Sequence, residues 1–255
     1  MSVLTSRDNL KVKRWTKLAA DARYRRSEKR ALIDGPHLLA AMLKRGHKPV
    51  ALLATEDGIA DAEIAALIRE SGVNPVLLAK GIFRNVVDAE TPQGVAAEIA
   101  IPSPQSAGGQ VSVFLEGVQD PSNVGAIVRT AAAFGAAKVV LDRGCADAWS
   151  PKALRAGMGG HFAVAVQPAS DLSAELNAFK GSLFCTVPRG GIPIKDTHLT
   201  GPIGWLFGSE GRGLSEETLR KAPLRVSIPM AEGSESLNVA AAAAICLYES
   251  FRRGS

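Results

Sequence analysis

Polar residues at the start of an alanine-rich segment near the C-terminus are the most informative group in the sequence. Residues 227–249 read SIPMAEGSESLNVAAAAAICLYE: a short apolar strand ends near Pro229, a polar loop follows, and a helix-forming run begins at Asn238. Proline donates no ladder hydrogen bond, so the chain leaves the sheet there. Ser234 and Ser236 offer capping oxygens, and the unpaired N–H groups of a helix start favour a polar or anionic ligand. The pattern predicts a ligand pocket; a helix that merely packs on a sheet is the alternative.

Two further segments place polar residues directly after strand-like runs. DPSNVGAIVRTAAAFG at 120–135 follows VSVFLEGV, and LFGSEGRGLS at 206–215 follows IGW. The first contains the pattern N-x-G-x-x-x-R-T-x-x-x-x-G, the second contains G-x-E-G, and residues 228–239 contain I-P-M followed by S-L-N-V. Three separate motifs in this order make coincidence very rare, unlike a lone glycine-rich loop. Together they resemble the motifs of the SpoU/TrmH family of RNA ribose 2′-O-methyltransferases.

This resemblance implies a cofactor and a set of site residues. The methyl donor of the family is S-adenosylmethionine, so the chain is expected to be a methyltransferase that uses it. The matching catalytic and substrate-orienting positions are Arg129, Asn123, Glu210, Ser236 and Asn238. The matching cofactor-binding positions are Thr186, Gly208, Gly211, Ile228, Met230 and Leu237. A tight turn that needs positive φ is the structural alternative for the two glycines, and both roles are compatible.

Arg129 matches the catalytic arginine of the family and lies six residues after Asn123, which is expected near a helix start. A guanidinium is a poor general base because it keeps its proton far above physiological pH. Two routes stay open: a substrate phosphate assists departure of the proton, or Arg129 stabilises the developing alkoxide. A structural pairing of Arg129 with a carboxylate such as Glu210 is the competing hypothesis.

Composition favours a globular protein without a metal. The 255 residues are 46% hydrophobic and 22% charged, which is ordinary for a globular chain. No apolar run reaches the 18 or more residues that a membrane span needs, and no apolar segment follows the charged N-terminus as in a secretory signal. These observations predict a cytoplasmic location. The three cysteines and four histidines lack ligand spacing, so the sequence predicts free buried thiols and no metal site.

Positive charge is concentrated at the N-terminus. Residues 1–30 contain ten lysines or arginines against three acids, so they have a net charge of +7 in a chain whose total is +5. With Trp15 and Tyr24 interleaved, this segment suits phosphate contacts and base stacking. The predicted RNA-binding residues are Lys11, Lys13, Arg14, Arg23, Arg25 and Arg26. A helix with a solvated basic face is the alternative.

The order of predicted elements indicates an α/β protein with two domains. A small N-terminal α/β domain spans 1–100 and starts with a basic helix over about 9–27, and IPSPQSAGGQ at 101–110 is typical of a linker. In the segment 111–255 apolar strands alternate with helices, which predicts a mostly parallel, six-stranded sheet covered on both faces. The resemblance adds a deep trefoil knot of the SPOUT type. It also implies that 1–100 is a ribosomal-protein-like RNA-binding domain, because DGPHLLAAML resembles an entry signature of the family, with Asp34 where Glu is more usual.

The resemblance also implies partners, and other function classes stay open. Members of the family are homodimers that pack through the knotted domain, so a homodimer is expected. The separate N-terminal domain favours ribosomal RNA over tRNA as the substrate. The alternatives are a tRNA ribose methyltransferase, a non-catalytic RNA-binding or ribosome-assembly factor, and a base-methylating enzyme with the same fold. A nicotinamide enzyme is disfavoured because GSEGRG lacks the G-x-G-x-x-G spacing.

Overall fold

The computed structural model describes residues 3–104 and 108–254, and its contacts divide the chain into two compact units. The first unit comprises Met1–Pro102 and Asp147–Phe162, and the second comprises Ser103–Ala146 and Ala163–Ser255. The structure therefore groups residues 147–162 with the N-terminal unit, although the sequence boundary assigned them to the C-terminal domain. Residues 105–107 of the predicted linker lie outside the described residues.

Helices and strands alternate along most of the chain. The helices are α1 Leu10–Ala20, α2 Ala22–Glu28, α3 Pro36–Lys44, α4 Glu56–Ala60, α5 Ala62–Ser71, α6 Lys80–Val86, α7 Pro121–Ala133, α8 Pro151–Gly157, α9 Leu172–Ala178, α10 Glu216–Lys221 and α11 Val239–Gly254. The strands are β1 Arg30–Asp34, β2 Ala51–Ala54, β3 Pro75–Leu77, β4 Val95–Ala100, β5 Val111–Glu116, β6 Lys138–Leu141, β7 Ala165–Pro168, β8 Ser182–Thr186, β9 Ile192–Pro193, β10 Ile203–Gly208 and β11 Leu224–Ser227.

A four-stranded mixed sheet forms the centre of the first unit. Its strands lie in the order β1-β4-β2-β3, with β4 antiparallel to both neighbours and β2 parallel to β3. Val12, Trp15 and Leu18 recur at three-residue spacing on α1 and are buried in a cluster with residues of β1, β2 and α6. This apolar face holds α1 in place and leaves its polar residues toward solvent.

The basic helix predicted over 9–27 is two helices. Asp21 lies between α1 and α2 in an extended conformation, and its Oδ1 accepts hydrogen bonds from the backbone N–H of Arg23 at 2.8 Å and of Tyr24 at 3.1 Å. Aspartate is among the strongest N-cap residues. The capping chemistry of Asp21 therefore ends one helix and starts the next, which the charge pattern alone did not reveal.

A seven-stranded parallel sheet forms the second unit. The strand order is β7-β6-β5-β10-β8-β11-β9, and every pair of neighbours is parallel. The sequence predicted six strands; the seventh is the two-residue edge strand β9, too short to give a periodic signal. From β5 the chain adds β6 and β7 on one side, whereas β10, β8, β11 and β9 lie on the other. Ligands of open α/β sheets bind at the carboxyl ends of strands beside such a reversal.

The sequence also predicts that the chain has no membrane-spanning segment and that its cysteines are free, buried thiols. Among the helices of the described ranges, none is both long and apolar enough to cross a bilayer. Cys145, Cys185 and Cys246 are free thiols; the last two are buried and the first is partly buried. Burial raises the pKa of the Cys145 thiol to about 12, so this thiol stays protonated at physiological pH.

Candidate functional site

A cavity of about 500 Å³ lies at the carboxyl ends of β8, β10 and β11. Parallel strands end at the same edge of the sheet, so segments far apart in sequence meet there. Nine of the eleven predicted catalytic and cofactor-binding residues line the cavity. They are Thr186, Gly208, Glu210, Gly211, Ile228, Met230, Ser236, Leu237 and Asn238. Asn123 and Arg129 do not line it.

Position 208, the last residue of β10, requires a glycine because two backbone segments approach each other closely there. A Cβ atom at this position would lie less than 3.0 Å from backbone atoms of Gly213 and Leu214. The loop turns back tightly, with the N–H of Gly213 donating to the carbonyl of Ser209 at 2.8 Å. Positive φ occurs at Gly213 but not at Gly208 or Gly211. The turn that needs positive φ, which was considered for Gly208 and Gly211, is therefore formed at Gly213. Gly208 instead allows two backbone segments to pack closely.

Glu116 fixes the other end of this loop and was missed by sequence reasoning. Its carboxylate accepts from the Ser215 backbone N–H at 2.9 Å, from the Ser215 hydroxyl at 2.7 Å and from the Thr218 hydroxyl at 3.0 Å. Ser215 is also the N-cap of α10. Glu116 therefore ties the end of β5 to the start of α10, and the cavity-lining loop 208–214 is held between them. An acid at the end of an otherwise apolar strand was the available sequence signal.

A directed chain of hydrogen bonds joins the three sequence motifs. Asn238 Oδ1 accepts from the first backbone N–H groups of α11, at 2.9 Å from Ala240 and 3.3 Å from Ala241. Its Nδ2 therefore faces away from the helix and donates to Asn123 Oδ1 at 3.0 Å. Asn123 Nδ2 in turn donates to Glu210 Oε1. The backbone of α11 thus dictates the orientation of both amides and holds the Glu210 carboxylate at the cavity wall.

The capping roles differ from the sequence prediction. Asn238, rather than Ser234 or Ser236, caps α11, because its side chain reaches the first free N–H groups of that helix. Asp120, rather than Asn123, caps α7, with its Oδ1 accepting from the Ser122 N–H at 2.9 Å. The Ser236 side chain is exposed at the cavity and forms no hydrogen bond with a described residue.

Arg129 lies on α7, six residues beyond Asn123, and its side chain is exposed. It forms neither a hydrogen bond nor an ion pair with any residue in 3–104 or 108–254. Glu210, the carboxylate considered as its structural partner, instead accepts from Asn123. The structure therefore does not contain the ion pair between Arg129 and Glu210. The Arg129 guanidinium lies at the surface without a carboxylate partner among the described residues.

The predicted RNA-binding residues of α1 and α2 fall into two groups. Lys11, Lys13, Arg23 and Arg26 are exposed, and Lys13 makes only an exposed ion pair with Asp8, a type of contact that contributes little.

Arg14 and Arg25 are committed to the fold. Arg25 is 3% exposed and donates to the carbonyls of Leu18 and Ala19 and to Asp147 at 2.7 Å. The prediction that Arg25 contacts RNA is corrected accordingly. Arg14 is half-buried, and its hydrogen bonds with Glu98 and Glu28 hold its pKa above the ordinary value.

The predicted base-stacking role of Trp15 is also wrong. Its indole is 2% exposed and donates from Nε1 to the buried Glu98 carboxylate at 2.9 Å. Tyr24 is half-buried, and the Lys17 ammonium lies 4.4 Å from its ring centre. The stacking surface of this segment is therefore smaller than its composition indicates.

Within the described ranges, no group of three or more His, Cys, Asp or Glu side chains is placed to hold a metal ion.

Comparisons with known proteins agree with this geometry. Residues 110–248 match the SpoU rRNA Methylase family, and residues 9–97 match the MRM3-like substrate binding domain. The chain is 32% identical to the Bacillus subtilis 23S rRNA (guanosine(2553)-2′-O)-methyltransferase RlmP over 97% of this chain and 98% of that protein.

Solved structures that resemble almost the whole chain include the following two. A putative RNA methyltransferase of the TrmH family from Porphyromonas gingivalis has 31% identity and a TM-score of 0.82, covering 99% of this chain and 100% of its own. The AdoMet-bound rRNA methyltransferase from Sinorhizobium meliloti has 27% identity and a TM-score of 0.82, covering 99% and 98%.

Proposed function

The chain belongs to the SpoU rRNA methylase family, and from this premise we propose that it transfers a methyl group from S-adenosylmethionine to a ribose 2′-hydroxyl of ribosomal RNA. The observation that carries the proposal is the cavity at the carboxyl ends of β8, β10 and β11, which nine of the eleven predicted catalytic and cofactor-binding residues line. The similar proteins from Bacillus subtilis and Sinorhizobium meliloti are named as rRNA methyltransferases.

The cavity fits S-adenosylmethionine in size and in chemistry. Its volume of about 500 Å³ lies within the usual range for ligand pockets, about 300–1,000 Å³. Ile228, Met230 and Leu237 supply apolar surface for an adenine ring, and the Ser236 hydroxyl is available for a polar end of the cofactor. The Glu210 carboxylate adds a negative charge to the wall, which suits a ligand that carries a sulfonium and an ammonium.

Positioning and charge stabilisation are the tasks of the protein in this reaction. When bound, S-adenosylmethionine supplies a methyl group on a sulfonium, which is already a good leaving group. Arg129 keeps its positive charge at physiological pH and has no carboxylate partner among the described residues, so it is free to contact substrate phosphate or the 2′-oxygen. We assign it the role of stabilising that oxygen as the proton leaves, and an adjacent substrate phosphate would accept the proton.

The hydrogen-bonded chain from Asn238 through Asn123 to Glu210 supports the positioning role of these residues. The nitrogen and the oxygen of each amide both form hydrogen bonds. Reversing either amide would place a donor against a donor or an acceptor against an acceptor, so the network resists reorientation. In the proposed enzyme it holds the Glu210 carboxylate in one place while substrate and cofactor meet.

The N-terminal domain, residues 1–100, is assigned to RNA binding, 101–110 to a linker and 111–255 to methyl transfer. The match of residues 9–97 to a substrate-binding domain supports the first assignment. The exposed cations Lys11, Arg23 and Arg26 supply charge for phosphate contacts. A trefoil knot in the second unit and a cytoplasmic location are part of the same proposal, on the basis of family membership.

The active enzyme is proposed to be a homodimer. Tyr248 and Phe251 on α11 are 50% and 51% exposed, and their rings pack at an angle against Phe134 at centroid distances of 5.8 and 5.7 Å. Exposed aromatic clusters of this kind are typical of protein interfaces. Light scattering should give twice the 26.7 kDa of the chain; a species of 26.7 kDa at micromolar concentration would contradict the dimer.

Methyl transfer tests the proposal directly. The purified protein is incubated with radiolabelled S-adenosylmethionine and with ribosomal RNA or tRNA from a strain that lacks the gene, and digested RNA is analysed by mass spectrometry. We expect a 2′-O-methylnucleoside in ribosomal RNA. A label found only in tRNA would change the substrate, a methylated base would change the reaction, and no label would refute the activity.

Arg129→Ala tests the assignment of the catalytic charge. Loss of one preorganised charge contact at a transition state lowers kcat by about 10²- to 10³-fold, while the affinity for S-adenosylmethionine should be unchanged because Arg129 does not line the cavity. Arg220→Ala removes another exposed arginine of the same unit and is the matched control. Normal turnover of Arg129→Ala would remove this residue from the proposed site.

A further inference from the structure

The first unit contains a second, larger groove that the proposed methyl transfer does not use. Its volume is about 1,040 Å³, and it lies where β1 ends and α3 begins. Asp34, His37, Gln93 and Arg155 are among the residues that line it. Arg155 comes from α8, in the segment 147–162 that the structure groups with this unit.

Asp34 leaves an acceptor without a partner in this groove. Its Oδ1 is buried and accepts no hydrogen bond from a described residue. The pKa of Asp34 is raised to about 6, mainly by burial; the charge of Arg155 lowers it, and the charge of Asp88 makes a smaller upward contribution. Buried acceptors are rarely left unsatisfied in a native protein because desolvation makes them costly. A carboxyl kept in this state without structural partners indicates a binding role.

Arg155 leaves a donor without a partner in the same groove. Its Nη1 is buried and donates to no described residue. Among the described residues, the guanidinium forms an ion pair with Asp88 alone, at 3.7 Å from Nη2, and the Asp88 side chain is 71% exposed. A strong acceptor and a strong donor therefore border one groove, and neither satisfies the other.

Gly35 brings a third polar group to the groove. Its φ is +92°, and a Cβ atom there would lie 2.9 Å from the Gln93 Oε1 atom. Only glycine both adopts this backbone conformation readily and leaves room for the Gln93 carboxamide. Gln93 adds a neutral group that can donate and accept. The D-G-P-H segment at 34–37 thus helps to form this groove, whereas none of its residues lines the methyl-transfer cavity.

We propose that this groove binds a guanine base of the substrate RNA, with Asp34 accepting from the N–H groups of its Watson–Crick edge and Arg155 donating to its O6. Because Asp34 Oδ1 and Arg155 Nη1 are both covered by protein, each side chain must rotate to meet the base. Guanine is the base that presents adjacent N1–H and N2–H donors beside an O6 acceptor. Bases splayed from single-stranded RNA are commonly read on this edge. The inference rests on the proposed function, because it assumes an RNA substrate.

The charge of the groove favours a base over a phosphate. Asp34, Asp88 and Glu90 contribute three carboxylates, against the guanidinium groups of Arg84 and Arg155. An RNA phosphate would be repelled by this balance, whereas the hydrogen-bonding edge of a neutral base would not. Phosphate contacts are better served by the exposed cations of α1 and α2.

Saturation-transfer NMR with nucleosides, which carry no phosphate, tests binding at the groove. The full-length protein is mixed with guanosine, inosine or adenosine in saturating S-adenosylmethionine, which occupies the proposed adenine site; inosine lacks the 2-amino group of guanosine, and adenosine lacks the N1–H donor. We expect guanosine to bind more tightly than inosine, and adenosine to bind least. Asp34→Asn should abolish the preference for guanosine. Glu90→Gln, which removes an exposed carboxylate from the same groove, is the matched control and should keep it. Equal binding of all three nucleosides, or none, would overturn the proposal.

Kinetics and stability separate recognition from a structural role. Asp34→Asn should raise KM for ribosomal RNA about tenfold, the size of one base-edge contact, with kcat and the affinity for S-adenosylmethionine unchanged. The same variant should have a higher Tm at pH 7.5, because it removes a buried charge. A lower Tm together with lost activity would make Asp34 structural and refute the site. If the wild type methylates RNA and Asp34→Asn is fully active, the groove alone is refuted. If guanosine binds but no RNA is methylated, the proposed function alone is refuted.

Discussion

A single methyl group added at Gly208 should deform the methyl-transfer cavity. The new Cβ of Gly208→Ala would lie less than 3.0 Å from backbone atoms of Gly213 and Leu214, closer than van der Waals contact allows. Backbone cannot rotate aside as a flexible side chain can, so the loop must shift. Overpacking of this kind costs about 1–3 kcal/mol.

The shift should damage the binding of S-adenosylmethionine more than it damages the fold. Gly213 and Leu214 both line the cavity, and a displacement near 1 Å in a site can cost about 10²-fold in rate. We expect the Kd of Gly208→Ala for the cofactor to rise at least about tenfold in isothermal titration. Circular dichroism should still report a folded protein, because β10 pairs with β5 along its whole length and with β8 over residues 203–206.

Gly211→Ala supplies the contrast. No atom lies within 4 Å of a Cβ placed at Gly211, and its φ is not positive, so the free energy of unfolding should match that of the wild type. Any loss of cofactor affinity in Gly211→Ala would then report a contact between the new methyl group and the cofactor. The reasoning would be refuted by Gly208→Ala that binds with wild-type affinity, or by equal loss of stability in the two variants.

Three further results are expected. Glu116→Gln replaces the charged acceptor of three hydrogen bonds, so cofactor Kd should rise about tenfold, whereas Glu217→Gln, at an exposed position of α10, should have no effect in the same titration. Arg26→Glu should weaken RNA binding and lower the slope of log Kd against log salt; an unchanged slope would return α2 to a solvated basic face. Burial lowers the pKa of His161 to about 4, so protonation opposes folding. Stability should therefore fall by up to about 3 kcal/mol as pH drops from 6.5 toward 4, and urea titrations of His161→Phe should lack this loss.

The positions of the motif residues followed from the sequence, and their partners did not. Alternating apolar strands and helices predicted a parallel sheet, and the polar start of the last helix predicted a pocket; the cavity includes that helix start and lies at the carboxyl ends of the strands. The tie between Glu116 and Ser215 joins residues 99 positions apart, and no local pattern specifies such a pairing. The edge strand β9 is two residues long and gives no periodicity.

Charge counts were the weakest guide to individual residues. The N-terminal segment contains ten cations, yet Arg25 is buried against main-chain carbonyls and Trp15 donates to Glu98. Both side chains combine a polar group with a large apolar surface, so they suit a core as well as an RNA surface. Only the three-dimensional partners, which come from β4 and from residue 147, distinguish the two cases.

The orientation of the amides in the hydrogen-bonded chain yields a prediction about charge. Asn238→Asp keeps the acceptor that caps α11, since aspartate is an equally good N-cap, but it has no N–H to donate to Asn123. Asn123 must then turn its Nδ2 toward residue 238 and its Oδ1 toward Glu210, which places two acceptors face to face. We expect unchanged helix content, because the cap survives, and a kcat lowered about tenfold, the cost of one unsatisfied hydrogen bond.

Glu210→Gln in the same chain should partly restore kcat, because a glutamine amide can donate to the reversed Asn123. The double-mutant cycle measures this coupling directly. Strictly additive effects on log kcat would show that Asn238 and Glu210 act independently. The proposed coupling of the three motifs through these hydrogen bonds would then be refuted.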